Sequence, residues 1–389
     1  MKANRRNFIK KSFSTAAGMT AATMLPASLF GHDLHHTSRP EEIILNPGRI
    51  PKPKESIRFS VIGLNHGHIY GMTQTLIAGG GKLVAVYAKE PDLLANFTKR
   101  FPNVKVAKSE TEIIEDNSIQ MVASASIPIE RAPLGIRVMQ SGKDFMSDKP
   151  GILTFEQFEK VKKVQKETKR IYSIMYSERL GNPASVKAGE LVQAGAIGKI
   201  VQTIGLGPHR MRPETRADWF FDPKKAGGIL CDIGSHQSDQ FLYYTNSKEA
   251  SVNFSQTGNF STTEYPDYRD FGDMSLRSAH ATGYVRIDWF TPEGLDTWGD
   301  GRTFILGTEG YIEMRKYIDI EGREGGNHLF LVTQKETKYY NCSNIHMPYG
   351  QQLVSDVVNR TETAMSQAHC FLATELALAA QENAFQLNV

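Results

Sequence analysis

The sequence predicts an α/β protein of two domains, a parallel, doubly wound sheet followed by a large, mostly antiparallel open sheet. From residue 56, buried strand-like runs such as IRFSVIGL alternate with helix-like segments such as PDLLANFTKRFP, which is typical of a parallel sheet. In the second half, β-rich runs such as KIVQTIGLG and RTFILGTEGYIEMR follow one another without regular helices between them, which indicates antiparallel pairing. A length of 389 residues also favours two domains.

Composition excludes several classes of function. The net charge of +3 gives no reason to expect a nucleic acid or an anionic membrane as partner. The three cysteines, Cys231, Cys342 and Cys370, are odd in number, far apart and in no metal-binding spacing. We therefore predict neither a disulfide framework nor a metal site.

The N-terminus is predicted to be a targeting segment. Arg5 and Arg6 precede a mildly apolar run of small residues, which resembles a twin-arginine export signal over residues 1–31 with Asn4 where Ser or Thr is commoner. A simple basic tail is the alternative. The apolar run is too weak for a membrane span, and residues 32–55, with four prolines, are predicted to be a linker. The resemblance implies export to the periplasm, by a route that carries folded proteins with cofactors already bound.

The first domain, residues 56–151, has a glycine-containing loop after its first strand. A dinucleotide-binding loop needs G-x-G-x-x-G at this place, so that the backbone can approach a pyrophosphate at a helix N-terminus. Here Gly63 takes the first position, Asn65 the second and His68 the third, while Gly67 adds conformational freedom nearby. Asn tolerates a left-handed backbone better than most residues. An ordinary strand-to-helix turn remains the alternative.

The end of the second strand bears on cofactor choice. Domains of this fold that prefer NAD usually place an acidic residue here to bind the ribose diol, but the sequence has Ala88 followed by Lys89. The Lys89 ammonium could instead bind a 2′-phosphate. The sequence therefore favours NADP slightly, without deciding between the two cofactors, unless Lys89 is only a solvated surface residue.

A later stretch, GGILCDIGSHQSDQ, places a carboxylate and an imidazole four residues apart. If the run is helical, Asp232 and His236 lie on one face of the helix, just after a glycine pair. A helix cap with a solvated partner would give the same spacing. About eighty residues earlier, SDKPG puts the pair Lys149–Pro150 at the end of a predicted strand.

Together these motifs resemble the Gfo/Idh/MocA family of oxidoreductases. The Lys-Pro pair after the first sheet, followed by the G-G-x-x-x-D-x-G-x-H run, is the combination found in that family. The segments LVQAGAIGKI, LGTEGYIEM and ALAAQENA are further matches, so the resemblance extends from about residue 57 to the end. It implies that residues 152–389 form a substrate and oligomerisation domain whose sheet often makes dimers or tetramers.

The resemblance also implies roles for individual residues. Lys149 would orient and polarise the reacting hydroxyl, His236 would be its general acid and base, and Asp232 would bind a sugar hydroxyl. The implied NAD(P)-binding residues are Gly63, Asn65, His66, Gly67, His68, Ala88, Lys89, Ser126, Lys149 and Pro150.

Further substrate candidates lie around these motifs. In GPHRMRPETRADWFFDPKKAGG, His209, Arg210 and Arg216 can donate hydrogen bonds, and Trp219 could stack on a pyranose or act only as a core anchor. Arg179 opens the second domain near the expected cleft. The sequence departs from many family members at Arg131, where a His is common after the third strand.

Three functions are compatible with these residues. The first is an NAD(P)-dependent oxidoreductase that transfers hydride to or from a hydroxyl of a sugar, glycoside or polyol. The second is a redox-neutral glycosidase or lyase of the same fold, which oxidises its substrate transiently and recycles a tightly bound cofactor. The third is a non-catalytic sugar- or cofactor-binding protein, against which the presence of Lys149, Asp232 and His236 argues.

Overall fold

The structure, a computed structural model, describes Pro40, residues 42–45 and residues 52–387. The predicted export signal at 1–31 and most of the predicted linker lie outside these residues. In the described part of the chain, none of the helices combines the length and hydropathy needed to cross a bilayer.

The first sheet has six strands, all parallel, and helices connect them. Its elements are β2 (Ile57–Ile62), α1 (His68–Ala78), β3 (Gly81–Tyr87), α2 (Pro91–Arg100), β4 (Lys105–Val106), α3 (Glu110–Glu115), β5 (Met121–Ser124), α4 (Pro128–Gln140), β6 (Asp144–Asp148), α5 (Phe155–Thr168) and β7 (Tyr172–Met175). The strand order is β4-β3-β2-β5-β6-β7. Because β2 and β5 are neighbours but not consecutive, their carboxyl ends flank the crevice where such sheets bind ligands.

The parallel sheet extends further along the chain than predicted. Strand β7 pairs with β6, so the sheet ends at Met175 and not at the boundary predicted at residue 151. The strand was missed because it follows the Lys-Pro motif, after which the sequence suggested a new domain.

The remaining chain begins with five helices, a long strand and two turns of 3₁₀ helix. These elements are α6 (Ser177–Leu180), α7 (Pro183–Gln193), β8 (Ile200–Pro208), the 3₁₀ turns Pro213–Thr215 and Asp218–Phe221, α8 (Pro223–Ala226), α9 (Ile229–Asp232) and α10 (Gly234–Thr245). The chain continues with β9 (Ser251–Gly258), β10 (Phe271–Arg277), β11 (Thr282–Asp288), β12 (Arg302–Gly307), β13 (Gly310–Arg315), β14 (His328–Thr333), β15 (Thr337–Asn341), α11 (Tyr349–Asn359), α12 (Gln367–Glu382) and β16 (Phe385–Gln386).

The second sheet has ten strands and is mixed, mostly antiparallel, as the sequence predicts. With Glu42–Ile44 as β1, its order is β1-β15-β14-β13-β12-β8-β11-β10-β9-β16, with parallel pairing of β1 with β15, β8 with β11, and β9 with β16. The edge strand β1 (Glu42–Ile44) lies within the segment predicted as a linker. Residues 32–55 are therefore not a linker along their whole length.

The C-terminal helices pack back onto the parallel sheet and fix its last strand. The amide of Tyr172 donates to Gln367 Oε1 at 2.8 Å, and the hydroxyls of Ser173 and Tyr349 hydrogen-bond at 2.8 Å. A hydrophobic core of residues from both sheets continues through this contact. The two sheets thus share one core, which holds the cleft between them in a defined geometry.

Candidate active site

The loop after β2 needs glycine at its first position. Gly63 has φ of +83°, and a Cβ atom there would lie 2.5 Å from Cβ of Ser126. The loop is tied across the sheet, because the amide of His66 donates to the carbonyl of Ala125 at 2.9 Å. Helix α1 then starts at His68. The close backbone approach gives this loop the shape of a dinucleotide-binding turn, although two of the three glycines are absent.

A cavity of about 590 Å³ lies beside this loop, at the carboxyl ends of β2 and β3. Five of the predicted cofactor residues line it, namely Gly63, Asn65, Ala88, Lys89 and Ser126. The geometry therefore fits the adenosine half of a dinucleotide in the crevice where this fold binds such ligands.

The cavity contains a carboxylate that sequence reasoning missed. Glu90, two residues beyond Ala88, accepts a hydrogen bond of 2.8 Å from Nδ2 of Asn65. Lys89 lies 3.6 Å from Glu130, with more than half of its side chain exposed. A carboxylate that could accept from a ribose diol and a cation that could bind a phosphate thus line one cavity. The signal was visible in the sequence as A-K-E-P, but the acid was expected at Ala88.

The other loop residues contact β6 instead of this cavity. The rings of His66 and His68 bond the two oxygens of Asp148 through their Nδ1 atoms, at 2.6 and 2.9 Å. Burial, and next the neighbouring His68, lower the pKa of His66 to about 4. Asp148 is fully buried, and Arg131 lies 3.2 Å from one of its oxygens. Arg131 also donates to the carbonyls of Lys149 and Pro150, at 2.6 and 3.1 Å.

These His and Asp side chains could also hold a metal. The nitrogen and oxygen atoms of His66, His68 and Asp148 lie within 4.8 Å of one another. The carboxylate is, however, already satisfied by Arg131 on one oxygen and by the Lys149 amide, at 2.8 Å, on the other. Both the guanidinium charge and this saturation disfavour a cation. The cluster's evident effect is to fasten the loop after β2 to the strand that carries Lys149.

The Lys-Pro motif and the D-x-G-x-H run meet in space. Lys149 follows the last residue of β6, and its Nζ donates to Oδ1 of Asp232 at 2.6 Å. Gly227 and Gly228 have φ of +92° and +80°, and this turn starts α9, which ends at Asp232. Burial opposes ionisation of Asp232, but the Lys149 ammonium outweighs it and lowers the pKa of the carboxyl.

Asp232 and His236 do not belong to one uninterrupted helix. Ile233 separates α9 from α10, and the amide of His236 donates to the Ile233 carbonyl at 3.2 Å. Both side chains nevertheless line the same cavity as Lys149. The predicted proximity is confirmed, while the predicted single helix is wrong because the chain turns at Ile233.

His236 has the environment of a neutral base. Its side chain is buried, and its Nδ1 atom has no hydrogen-bond partner among the described residues. Burial, and next the charge of Lys149, hold the pKa of His236 well below its usual range. An unpaired buried nitrogen is costly unless a ligand satisfies it. Because His236 lines the same cavity as Lys149 and Asp232, its neutral imidazole could accept a proton from a hydroxyl bound there.

The cavity around His236 has a volume of about 200 Å³, and much of its wall comes from residues that the sequence did not single out. Glu178, on α6, and Lys316, just after β13, form an ion pair of 2.8 Å. Burial opposes the charge on Glu178, but Lys316 outweighs it and lowers the pKa of the carboxyl. Trp289 and Trp298 form an apolar wall. Nothing periodic marks these positions, since they come from three separate segments.

Of the predicted substrate residues, Asp232, His236, His209 and Arg216 line this cavity, and three others do not. Arg179 is held by Asp239, Arg210 by the loop around Glu293, and Trp219 packs on Phe220 against the core. His209 donates from Nδ1 to the carbonyl of Gly207 at 3.0 Å, and burial lowers its pKa to about 4.

Comparisons with known proteins agree with this architecture. Residues 185–313 match the model of the GFO/IDH/MocA C-terminal domain. A solved protein of Erwinia carotovora atroseptica SCRI1043, assigned to the oxidoreductases, is 46% identical, with a TM-score of 0.83 over 85% of this chain and 100% of that chain.

Two enzymes of Bacillus subtilis (strain 168) are more distant relatives. The scyllo-inositol 2-dehydrogenase (NAD(+)) is 24% identical over 67% of this chain and 74% of its own. The scyllo-inositol 2-dehydrogenase (NADP(+)) IolW is 29% identical over 42% of this chain and 46% of its own.

The fold and the site are those of an oxidoreductase built from a Rossmann-type domain and a mixed-sheet domain, with Lys149, Asp232 and His236 lining the cavity between them. The 46% identity to the Erwinia protein over 85% of this chain, together with the match of residues 185–313 to the family's C-terminal domain, identifies the family. The chain belongs to the Gfo/Idh/MocA family.

Proposed function

We propose that the protein transfers hydride between a nicotinamide dinucleotide and a hydroxyl of a cyclic sugar or polyol. The observation that carries this proposal is that the Lys149–Asp232 pair and the buried imidazole of His236 line one small cavity with other polar groups. The two Bacillus relatives act on inositol, a ring with a hydroxyl on each carbon, and support this substrate class.

The protein's own groups account for the proton that must move. The dinucleotide, when bound, would supply or accept the hydride. His236, neutral because its pKa is lowered, accepts the hydroxyl proton in the oxidation direction and returns it in the reverse. Lys149 donates a hydrogen bond to the same oxygen, which favours the developing alkoxide. Asp232 holds the Lys149 ammonium in position at 2.6 Å.

Absorbance of the reduced nicotinamide band tests this function against its two alternatives. The purified protein is incubated with NAD⁺ or NADP⁺ and a panel of sugars, glycosides and polyols. A net absorbance change with substrate supports the proposed dehydrogenase. Release of an aglycone without net change would support the redox-neutral enzyme, which the predicted tight cofactor binding favours. Cofactor binding with no turnover of any substrate would support the third alternative, a non-catalytic binding protein.

For the cofactor, we propose weak discrimination between NAD(H) and NADP(H), because Glu90 and Lys89 line the same cavity. Lys89→Ala should weaken NADP(H) binding about tenfold, roughly 1.4 kcal/mol, with little effect on NAD(H). Glu90→Gln should instead weaken NAD(H), by removing a charged acceptor of the ribose diol. Fluorescence titration with each cofactor measures both. A wild-type preference for NAD(H) above tenfold that Lys89→Ala leaves unchanged would contradict a role for Lys89.

For localisation, we propose export through the twin-arginine route to the periplasm. The support is Arg5 and Arg6 ahead of a run of small residues. Replacing both arginines with lysine should keep the precursor in the cytoplasm, because the receptor reads the arginine pair as an address. Immunoblots of cytoplasmic and periplasmic fractions measure this, with Lys10→Arg as a control that keeps the charge. Unchanged export of the double variant would contradict the assignment.

For assembly, we propose a homodimer or tetramer formed through the outer face of the second sheet. Apolar side chains are 41–49% exposed on four of its strands: Val201, Phe254, Leu306 and Tyr311. Leu306 and Tyr311 are direct cross-strand neighbours. Exposed apolar residues that are contiguous favour contact with another chain. Light scattering of the purified protein measures the mass.

A further inference from the structure

The substrate cavity contains more positive than negative permanent charge. Three permanently charged cations line it, which are Lys149, Lys316 and Arg216, against two carboxylates, Asp232 and Glu178. Two of the cations are paired within the cavity, Lys149 with Asp232 at 2.6 Å and Lys316 with Glu178 at 2.8 Å.

Arg216 is the cation that remains. Among the described residues, no carboxylate lies within ion-pair distance of its guanidinium. Burial lowers the pKa of Arg216, and among the groups that oppose this effect Asp232, which Lys149 already holds, acts most strongly, ahead of Tyr268 and Glu214. A partly buried charge without a counter-ion is unfavourable, so this arrangement is complementary to an anion.

The Arg216 side chain is held in place by a backbone carbonyl and by aromatic rings, without a carboxylate partner. Its Nε donates to the carbonyl of Met211 at 3.0 Å. Its guanidinium carbon lies 4.6 to 5.1 Å from the ring centres of Phe220, Trp289 and Trp298. These cation–π contacts fix the plane of the guanidinium on the cavity wall. One terminal nitrogen reaches the carbonyl of Arg210 only at 3.5 Å, so terminal N–H donors remain for a ligand.

We propose that Arg216 binds a carboxylate of the substrate, so that this enzyme acts on a sugar acid in preference to a neutral sugar. This inference rests on the proposed function. A planar guanidinium with free terminal donors matches the two oxygens of a carboxylate. The excess in the cavity is one positive charge, which a carboxylate balances, whereas a phosphate monoester carries nearly two negative charges at neutral pH.

The geometry also separates the two ends of such a substrate. In the proposed function, His236 and Lys149 contact the hydroxyl that reacts. Arg216 belongs to the segment between β8 and α8 and forms another part of the cavity wall. The carboxylate would therefore determine which hydroxyl of the ring reaches His236. Arg216 thus has a specificity role, and its loss should change binding and orientation more than proton transfer.

Matched pairs of ligands provide the test. D-Glucuronate is compared with D-glucose, and D-galacturonate with D-galactose, because each pair differs only in the carboxylate. Binding is followed by intrinsic fluorescence, since two of the three tryptophans, Trp289 and Trp298, line the cavity. The wild-type protein should bind at least one uronate about tenfold or more tighter than its neutral partner, as expected for a hydrogen-bonded charge pair.

Variants at Arg216 then show whether the preference for uronates depends on this residue. Arg216→Gln should bring the ratio of the two affinities close to one, and Arg216→Lys should keep part of it, because the charge remains and the planar fork is lost. Lys224→Gln is the matched control, since Lys224 is an exposed cation eight residues away that does not line the cavity. It should leave the ratio unchanged.

The wild-type ratio tests the substrate class even if a variant fails to fold, and the variants test the role of Arg216. Equal affinity for uronate and hexose, or a preference that survives in Arg216→Gln, would overturn the inference. If the wild-type enzyme turns over neutral sugars without preferring uronates, the inference fails and the proposed function stands. If it neither binds nor turns over any sugar or uronate, both fail.

Discussion

His236→Ala should lower kcat by roughly 10²–10⁴-fold while the protein still folds and binds its dinucleotide. Hydride leaves a carbinol carbon only as the hydroxyl proton departs, so a base must lie within hydrogen-bond reach of that oxygen. The His236 side chain is buried and lines the cavity that also contains Lys149. Steady-state kinetics on the best substrate, with thermal unfolding as a check of the fold, measure this.

Lys149→Ala should cause a loss of the same order, and the two changes should not be additive because both residues act in one proton transfer. Asp232→Asn should be milder in kcat and act more on KM. Because Asp232 accepts a hydrogen bond of 2.6 Å from Lys149, this change should also leave the Lys149 ammonium less well positioned. Turnover by His236→Ala within about threefold of the wild type, with cofactor bound, would show that another group takes the proton.

The pH profile offers a second readout of His236. The base must be neutral to accept a proton, and its pKa is lowered by burial and then by the charges of Lys149 and Lys316. The value of kcat/KM for oxidation should therefore stay level as the pH falls to about 6.5, the usual histidine value, and decrease only below it. A decrease centred at or above 6.5 would contradict this environment.

The fold could be predicted largely because its signals are local. Alternation of apolar strands with amphipathic helices identified the parallel sheet, and consecutive β-rich runs identified the mixed sheet. Strand β1 has no such signal, since three residues among prolines pair with Thr337–Asn341 about 300 positions away. Non-local pairing of so short a strand leaves no periodic pattern in the sequence.

Site residues that belong to a sequence motif could be predicted, whereas residues that come together from separate segments could not. Lys149, Asp232 and His236 stood in recognisable runs, and the structure brings them together. Glu178 and Lys316 are 138 positions apart and carry no local pattern, so their pairing became visible only in three dimensions. Glu90 was overlooked because the acid was sought at one fixed position, whereas the turn after β3 places it two residues later.

Arg179 shows how a residue type can mislead when its surroundings are unknown. An arginine near the expected cleft was predicted to bind substrate, but its Nε and Nη2 donate to the two oxygens of Asp239 at 2.7 and 2.6 Å. His369, from α12, bonds the same carboxylate at 2.8 Å, and the guanidinium lies 4.5 Å from the ring of Tyr243. This network joins α6, α10 and α12 in the interior.

Asp239→Asn should therefore destabilise the fold by about 3–5 kcal/mol, because it leaves the Arg179 charge buried without its partner. Because the amide has the shape of the carboxylate, the substitution leaves no cavity. The loss of unfolding free energy therefore measures the missing charge and hydrogen bonds. Equilibrium unfolding in urea measures it, as a lower midpoint with an unchanged slope. Burial opposes ionisation of Asp239, but Arg179 outweighs it and lowers the pKa of the carboxyl, which shows the carboxylate form is the one stabilised.

The matched control applies the same acid-to-amide change to an exposed pair. Glu156 and Lys160 lie 2.6 Å apart on the surface of α5, one helical turn apart. Water screens such a pair, so Glu156→Gln should leave the urea midpoint within experimental error. If Asp239→Asn unfolds at the wild-type midpoint but raises KM for the substrate, Arg179 and Asp239 serve substrate binding and the structural role is wrong. A lowered midpoint with KM unchanged at temperatures where the variant is folded establishes that the network stabilises the fold on which the catalytic cavity depends.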